Sequence, residues 1–242
     1  MRSLENHVAV VTGASQGIGR AIALGLAAKR VSLVLIARNS TALHEVAECA
    51  RSSSPGVVLH AADLAIDGAI TGIRESLSSQ VDGLDVLIHC AGAFSSGDLQ
   101  TASVEELDRL YRANVRMPYL LTQSLLPMLK RRKGQIVFVN SSQGLQARAQ
   151  VGQYAATQHA LKAIADSLRD EVNAEGIRVL SVYPGRTATP RMEAIFGMEG
   201  REYKPELLLQ PEDVAEVVIN ALVMPSTAEI TNISLRPLAK SY

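Results

Sequence analysis

Three glycines at a fixed spacing carry the first chemical signal. They are Gly13, Gly17 and Gly19, inside the stretch VAVVTGASQGIGRAIALGLA at residues 8–27. The apolar run 8–11 reads as a buried strand, and Ile18, Ile22 and Leu26 then recur at helical spacing. Strand, glycine turn and helix N-terminus together make an anion site. The first-turn N–H groups have no helical partner, and the helix dipole favours negative charge beside them. Gly13 permits the tight turn, Gly17 close approach of a ligand to the backbone, and Gly19 close packing of helix on strand. The ligand this implies is the pyrophosphate of a dinucleotide. The spacing Gly-x-x-x-Gly-x-Gly is neither the common Gly-x-Gly-x-x-Gly nor a P-loop, since no Gly-Lys-Ser/Thr follows. Taken alone, the glycines also fit a tight turn that binds nothing.

The rest of the chain supplies the frame for such a turn. Short apolar runs at 31–37, 57–61, 84–89, 136–140, 177–183 and 229–235 read as further strands. Longer amphipathic segments separate them. One begins at Ser40 with Leu43, Val46 and Ala47 on one face and is broken by the Ser/Pro/Gly run at 52–56; another covers 67–81. Ser103, with Glu106 three residues on, reads as a capping box for a long helix that continues to 132 with a kink at Pro118. A helix starts near Tyr154 and ends before Gly176, and Pro211-Glu212-Asp213 starts the last. Residues 190–209 read as irregular. Strands alternating with helices imply crossover units, hence a mostly parallel sheet covered on both faces.

Composition narrows the function classes. In 242 residues, 24 basic and 24 acidic side chains balance, which argues against nucleic acid or an anionic membrane as partner. The basic run 130–133 sits at a helix C-terminus, where the dipole favours cations, and reads as a solvated helix end. Cys49 and Cys90 show no metal spacing and read as free thiols of a reducing compartment; no metal is expected. Tryptophan is absent, so no base-stacking platform is expected. The N-terminus lacks a signal-peptide core and no apolar run approaches a membrane span, so the expected location is the cytoplasm.

Thr12, Gly13, Gly17 and Gly19 match every fixed position of TGxxxGxG, and the chain resembles the short-chain dehydrogenase/reductase family from Val8 to about Leu235. The resemblance implies one domain over 1–242: a Rossmann-like, doubly wound parallel sheet of seven strands in order 3-2-1-4-5-6-7. It implies that Ser15, Gln16 and Ile18 join the glycines around the cofactor. At the end of the second strand, Arg38 and Asn39 stand where an acid would select NAD. A planar cation suits the 2′-phosphate instead, so NADP is expected over NAD. Asp63, followed by Leu64, matches the Asp that holds the adenine amino group; a turn cap is the alternative. His89-Cys90-Ala91-Gly92 stands where the family usually has Asn-Asn-Ala-Gly. Ala91 and Gly92 are expected beside the adenosine ribose, and His89 as a buried core histidine.

Asn114 resembles the family's structural and proton-relay Asn. Ser141, thirteen residues before Tyr154, matches the Ser that orients the substrate carbonyl, and Tyr154 the general acid or base. Pro184, Gly185 and Thr189 match PGxxxT, whose segment lines the nicotinamide, with the Thr187 backbone reading the carboxamide. Residues 190–209 occupy the place of the variable substrate lid.

One position departs from the family. The motif YxxxK reads Tyr154-Ala-Ala-Thr-Gln158. The family's Lys binds the nicotinamide ribose and lowers the Tyr pKa; Gln keeps the hydrogen bonds and loses the charge. A cation about 5 Å from a phenol, at an effective dielectric of about 20, is worth roughly 3 kcal/mol, or about two pKa units. Lys162 is two turns away and His159 faces elsewhere, which leaves Arg186 as the nearby cation to nominate. The function implied is an NADP-dependent oxidoreductase acting on a small-molecule carbonyl or alcohol, impaired by Gln158. The alternative is a dinucleotide-binding pseudoenzyme or redox sensor without turnover. Apolar residues Leu120, Leu121, Leu125 and Leu129, with Ala160, Ile164 and Leu168, suggest a homodimer or homotetramer built on two helices that pair across a two-fold axis in the family.

Overall fold

The computed structural model describes residues 3–66 and 68–239. Its strands are β1 (Val8–Thr12), β2 (Ser32–Ala37), β3 (Val57–Ala61), β4 (Val86–His89), β5 (Gln135–Val139), β6 (Arg178–Pro184) and β7 (Asn232–Leu235). They form one sheet in order β3-β2-β1-β4-β5-β6-β7, with every pairing parallel. This is the order expected. The helices are α1 (Gly17–Ala28), α2 (Ser40–Arg51), α3 (Ala69–Gln80), α4 (Val104–Tyr111), α5 (Met117–Arg132), α6 (Gly152–Val172), α7 (Pro190–Met198) and α8 (Pro211–Leu222). Among the described residues, no helix is long and apolar enough to cross a membrane.

Central strands are apolar throughout because they are buried on both faces. Ala9, Val11, Leu33 and Leu35 pack against α1, α2 and α8. Val10, Val34, Ile36 and Leu87 point the other way, against α3, α5 and α6. Burying each Val, Leu or Ile contributes about 1.5–3 kcal/mol, and a one-residue slip would exchange the two sets, so the register is strongly specified. The strand order turns between β1 and β4. At that switch point the connections leave in opposite directions and open a crevice at the carboxyl ends.

Four expectations need correction. The helix from Ser103 is not one α-helix kinked at Pro118: a five-residue π turn, Arg112–Arg116, joins α4 to α5. The Met117 N–H bonds to the Arg112 carbonyl, five residues back. Pro118 has no N–H, so the carbonyl of Asn114 lacks its regular α-helical donor. Residues 190–209 are not irregular, since they contain α7 and a short 3-10 turn, Pro205–Leu207. Thr189 Oγ1 accepts from Met192 N at 3.2 Å, Pro190 occupies the first turn, and Ile195 and Phe196 bury one side. Leu121, Leu125 and Leu129 are core beneath the sheet, not spare surface, which leaves Leu120, Ala160, Ile164 and Leu168 half-buried. Finally, α3 begins at Ala69 behind Gly68 in the left-handed region; Asp67, the expected start, lies outside the described residues. The basic run is a solvated helix end as expected, with Lys130 paired to Glu175 at 2.7 Å.

Candidate active site

The glycine turn has the geometry an anion needs. Gly13 and Gly17 take positive φ, +67° and +54°. A Cβ on Gly13 would stand 2.8 Å from Ala91 N, and one on Gly19 would stand 2.3 Å from the Gly13 carbonyl oxygen. No larger residue fits either place without moving backbone. Helix α1 starts with no side-chain cap from Gln16, so its first-turn N–H groups stay available to a ligand. Thr12 pins the neighbouring strand end: its Oγ1 accepts from Cys90 N at 3.0 Å and Ala91 N at 3.1 Å, and donates to the Ile88 carbonyl at 3.3 Å.

A cleft of about 620 Å³ opens above the carboxyl ends of the strands. Gly13, Ser15, Gln16, Gly17, Ile18 and Gly19 line its base. Arg38 and Asn39 enter from the end of β2, Asp63 and Leu64 from β3, and Ala91 and Gly92 from β4. Arg38 is exposed. Asn39 also caps α2, its Oδ1 accepting from Ala42 N at 3.1 Å. Asp63 lines the cleft, and its Oδ1 accepts from Ala65 N at 3.0 Å, the turn cap considered for it. Asn114, Tyr154, Gln158 and Thr189 line the opposite half.

Four expected residues are not in the lining. Ser141 follows the end of β5 and is near enough to Tyr154 to lower its phenol pKa. Pro184 and Gly185 are tied to β7, with Gly185 N donating to the Leu235 carbonyl at 2.8 Å. Thr187 is buried and bridges Leu209 in parallel, flanked by bonds from Ala188 N to the Leu209 carbonyl (2.7 Å) and from Leu209 N to the Arg186 carbonyl (3.1 Å). These bonds clamp together the two ends of segment 190–209.

The hydrogen-bond order around Tyr154 explains its placement. Asn140 Oδ1 accepts from Ser141 N at 2.6 Å while its Nδ2 donates to the Gln158 carbonyl at 3.0 Å, so one side chain sets the end of β5 against α6. Gly144 must be small here, because a Cβ would come within 2.5 Å of Asn140 Oδ1. Ser141 Oγ also accepts from Gln143 N at 3.2 Å. Asn114 Nδ2 donates to the Ala93 carbonyl at 2.9 Å and to Thr157 Oγ1 at 3.0 Å, and its Oδ1 accepts from Ala93 N at 2.7 Å. Thr157 Oγ1 in turn donates to the Tyr154 carbonyl at 2.8 Å. The Tyr154 ring meets Phe94 edge-on, with centroids 5.0 Å apart. Burial pushes the phenol above its ordinary pKa; the nearby Ser141 hydroxyl and the charge of Arg191 pull it down. Gln158 is buried and brings no charge.

Arg186 does not supply the missing cation. Its Nη2 contacts both Glu199 carboxylate oxygens at 2.9 Å, and its guanidinium lies 4.8 Å over the Phe196 ring. Lys162 is paired with Asp166 at 2.5 Å. Arg191 does line the cleft, and its Nη2 donates to the Gly92 carbonyl at 2.6 Å. Sequence reading missed it. The Thr189-Pro190 helix start could have placed residue 191 in a first turn, but nothing local says that the turn faces Gly92, ninety-nine residues away. Arg109 and Arg112 also line the cleft and were missed. His89 is a core residue as expected: it stacks on Phe138 at 4.8 Å, Nε2 is 2.8 Å from Thr122 Oγ1, and burial pushes its pKa down to about 3. Burial pushes the Cys90 thiol up to about 12, which makes it a poor nucleophile. Among the described residues, no group of three His, Cys, Asp or Glu could hold a metal ion.

A family model described as short chain dehydrogenase matches residues 7–200. The chain belongs to the short-chain dehydrogenase family. It is 30% identical over 239 residues to an uncharacterized oxidoreductase of Staphylococcus epidermidis, covering 98% of this chain and all of that one. Among solved structures, this family member superposes on an alcohol dehydrogenase from the archaeon Thermococcus sibiricus, complexed with 5-hydroxy-NADP. The TM-score is 0.87 at 26% identity, over 98% of this chain and 100% of the other. It also superposes on L-sorbose reductase from Gluconobacter frateurii, complexed with NADPH and L-sorbose, with a TM-score of 0.88 at 26% identity over 96% of both chains.

Proposed function

We propose that this short-chain dehydrogenase is an NADP-linked oxidoreductase that interconverts a small-molecule carbonyl and its alcohol, with Tyr154 as the proton-transferring group. The observation that carries this reading is Tyr154 in the lining of a glycine-floored cleft, beside Asn114 and Gln158 and with Ser141 near enough to lower its phenol pKa. The cleft fits the cofactor on its own chemistry. Gly13 and Gly19 leave room no Cβ would leave, α1 offers uncapped N–H groups to a pyrophosphate, and Arg38 stands free at the mouth for a 2′-phosphate. The neighbours bound to 5-hydroxy-NADP and to NADPH support the choice. When bound, the nicotinamide supplies or accepts the hydride.

The chain's own residues do the rest. Tyr154 gives its phenolic proton to the carbonyl oxygen, and Ser141 donates a hydrogen bond to the same oxygen. In alcohol oxidation both transfers reverse. The phenolate regains its proton from water. Both N–H groups of the Asn114 amide are occupied, so the group free to hold that water is the Asn114 backbone carbonyl, which Pro118 leaves without an α-helical donor. Gln158 hydrogen-bonds the ribose, Asp63 and Leu64 the adenine end, and the Thr187 backbone and Thr189 the nicotinamide side. Residues 190–209, with α7, form the lid over the substrate within one domain spanning 1–242.

Gln158 favours a second reading, a dinucleotide-binding protein without turnover. Fluorescence titration with NADPH and NADH, followed by a carbonyl panel with NADPH, separates the two. Binding with turnover that Tyr154→Phe abolishes supports the enzyme. Binding alone supports the second reading, and no binding rejects both.

A further inference from the structure

We propose that Arg191 takes over the electrostatic half of the family lysine's role: its guanidinium, held on the Gly92 carbonyl across the cleft, is the cation that serves Tyr154. Gln158 keeps the other half, the ribose hydrogen bonds. The inference rests on the oxidoreductase reading above and assigns a new residue to that site.

Placement comes first. Arg191 lies in the first turn of α7, whose cap Thr189 abuts the phosphate turn; a Cβ on Gly17 would stand 3.0 Å from Thr189 Cγ2. From there the side chain crosses to Gly92, with a 2.6 Å bond from Nη2 to the carbonyl. Gly92 belongs to the wall that carries Tyr154. A Cβ there would lie 3.0 Å from Asn114 Oδ1, Asn114 bonds Thr157, and Thr157 bonds the Tyr154 carbonyl. Phe94, two residues beyond Gly92, touches the Tyr154 ring. Arg191 also acts on two ionisable groups at this end of the cleft: its charge opposes the burial effect at both Tyr154 and Cys90.

Most of the other groups facing this end are neutral, paired or on the adenine side. From β4, His89 and Cys90 stay neutral. From α4, Arg109 is bonded to Glu106 at 2.8 Å. Arg112 comes from the π turn, while Arg38 and Asp63 enter from the strand ends that carry the adenine side. On α6, Gln158 is uncharged, His159 bonds its own helix at the Ala155 carbonyl, and Lys162 is paired with Asp166. Arg186 is taken by Glu199. Arg191 acts through Tyr154, not on the substrate.

The test does not need turnover. In protein carrying ring-labelled ¹³C-tyrosine and no cofactor, Tyr154 is assigned by its loss in Tyr154→Phe and titrated by NMR. Arg191→Gln should raise the Tyr154 midpoint by about one pH unit, the effect of removing a unit charge across a partly screened cleft. Arg191→Lys should return most of the shift, and Gln158→Lys added to Arg191→Gln should bring the midpoint down again. Arg191→Met replaces the Gln variant if that variant is unstable. In alcohol oxidation, the alkaline rise of kcat should move up with the NMR midpoint. An unchanged midpoint in the folded Arg191→Gln protein overturns the proposal, whatever happens to NADPH affinity, because Arg191 is then at most a phosphate contact. A shifted midpoint with no turnover on any substrate leaves the electrostatic role standing and removes the oxidoreductase reading instead.

Discussion

Asn114 in the π turn donates a 3.0 Å hydrogen bond to Thr157 on α6, and the same amide closes on both backbone groups of Ala93. Three segments distant in sequence therefore meet on one buried side chain. Asn114→Ala leaves the Ala93 N–H and carbonyl without their partner, so it should destabilise the fold by about 2–4 kcal/mol in urea unfolding. Thr157→Val should cost less, about 1 kcal/mol. A change below about 0.5 kcal/mol for Asn114→Ala would show that the amide is not a structural tie.

His89 makes a pH prediction whose sign is fixed. Its folded pKa is pushed down to about 3 from an ordinary 6.5, so between those values the unfolded chain takes up a proton that the folded protein refuses. The stability His89 brings is complete above about pH 6.5 and is lost as pH falls through that value, by up to about 5 kcal/mol near pH 3. His89→Asn should flatten the acid limb of stability measured from pH 7 to pH 4. Parallel curves for the two proteins would contradict the buried neutral imidazole.

Arg38 sets cofactor choice in this account. Arg38→Asp should weaken NADPH binding by about 1–3 kcal/mol while leaving NADH nearly unchanged, since only the 2′-phosphate loses a charge-assisted contact. Equal affinity of the unmutated protein for NADH and NADPH would sink the assignment.

Assembly is the fourth expectation. With Leu121, Leu125 and Leu129 in the core, the apolar surface left on α5 and α6 includes Tyr119, which is 49% exposed, and the half-buried Leu120, Ala160, Ile164 and Leu168. A two-fold contact on these helices should give a dimer or tetramer by light scattering, and Ile164→Glu should dissociate it. A monomer mass at micromolar concentration would reject the contact.

The strand order came from the family resemblance, but the strands and the glycine turn were legible in the sequence because each rests on local pattern: apolar runs of strand length, and glycines where the backbone turns left-handed or nearly touches its neighbour. The π turn was not, since it shifts the helix by one residue without changing composition; only Asn114 and Pro118 mark it. Helix α7 carried a readable start in Thr189-Pro190, overlooked among the small and charged residues that follow. Arg186 and Arg191 could not be told apart locally. Glu199 neutralises one and Gly92 orients the other, and the fold alone brings those partners together.

The central claim is that the Tyr154 constellation is intact and that Arg191 makes up only part of the charge lost with Gln158. Gln158→Lys measures this most directly. The side chain at that position lines the cleft, so a lysine there should reach both the ribose site and the Tyr154 oxygen. The account predicts a kcat gain of about 10- to 1000-fold in NADPH-linked carbonyl reduction, abolished by Tyr154→Phe, larger in an Arg191→Gln background, and accompanied by a lower pH optimum for alcohol oxidation. A Gln158→Lys protein that folds and binds NADPH, yet gains nothing over the parent on any carbonyl or alcohol tested, would contradict it.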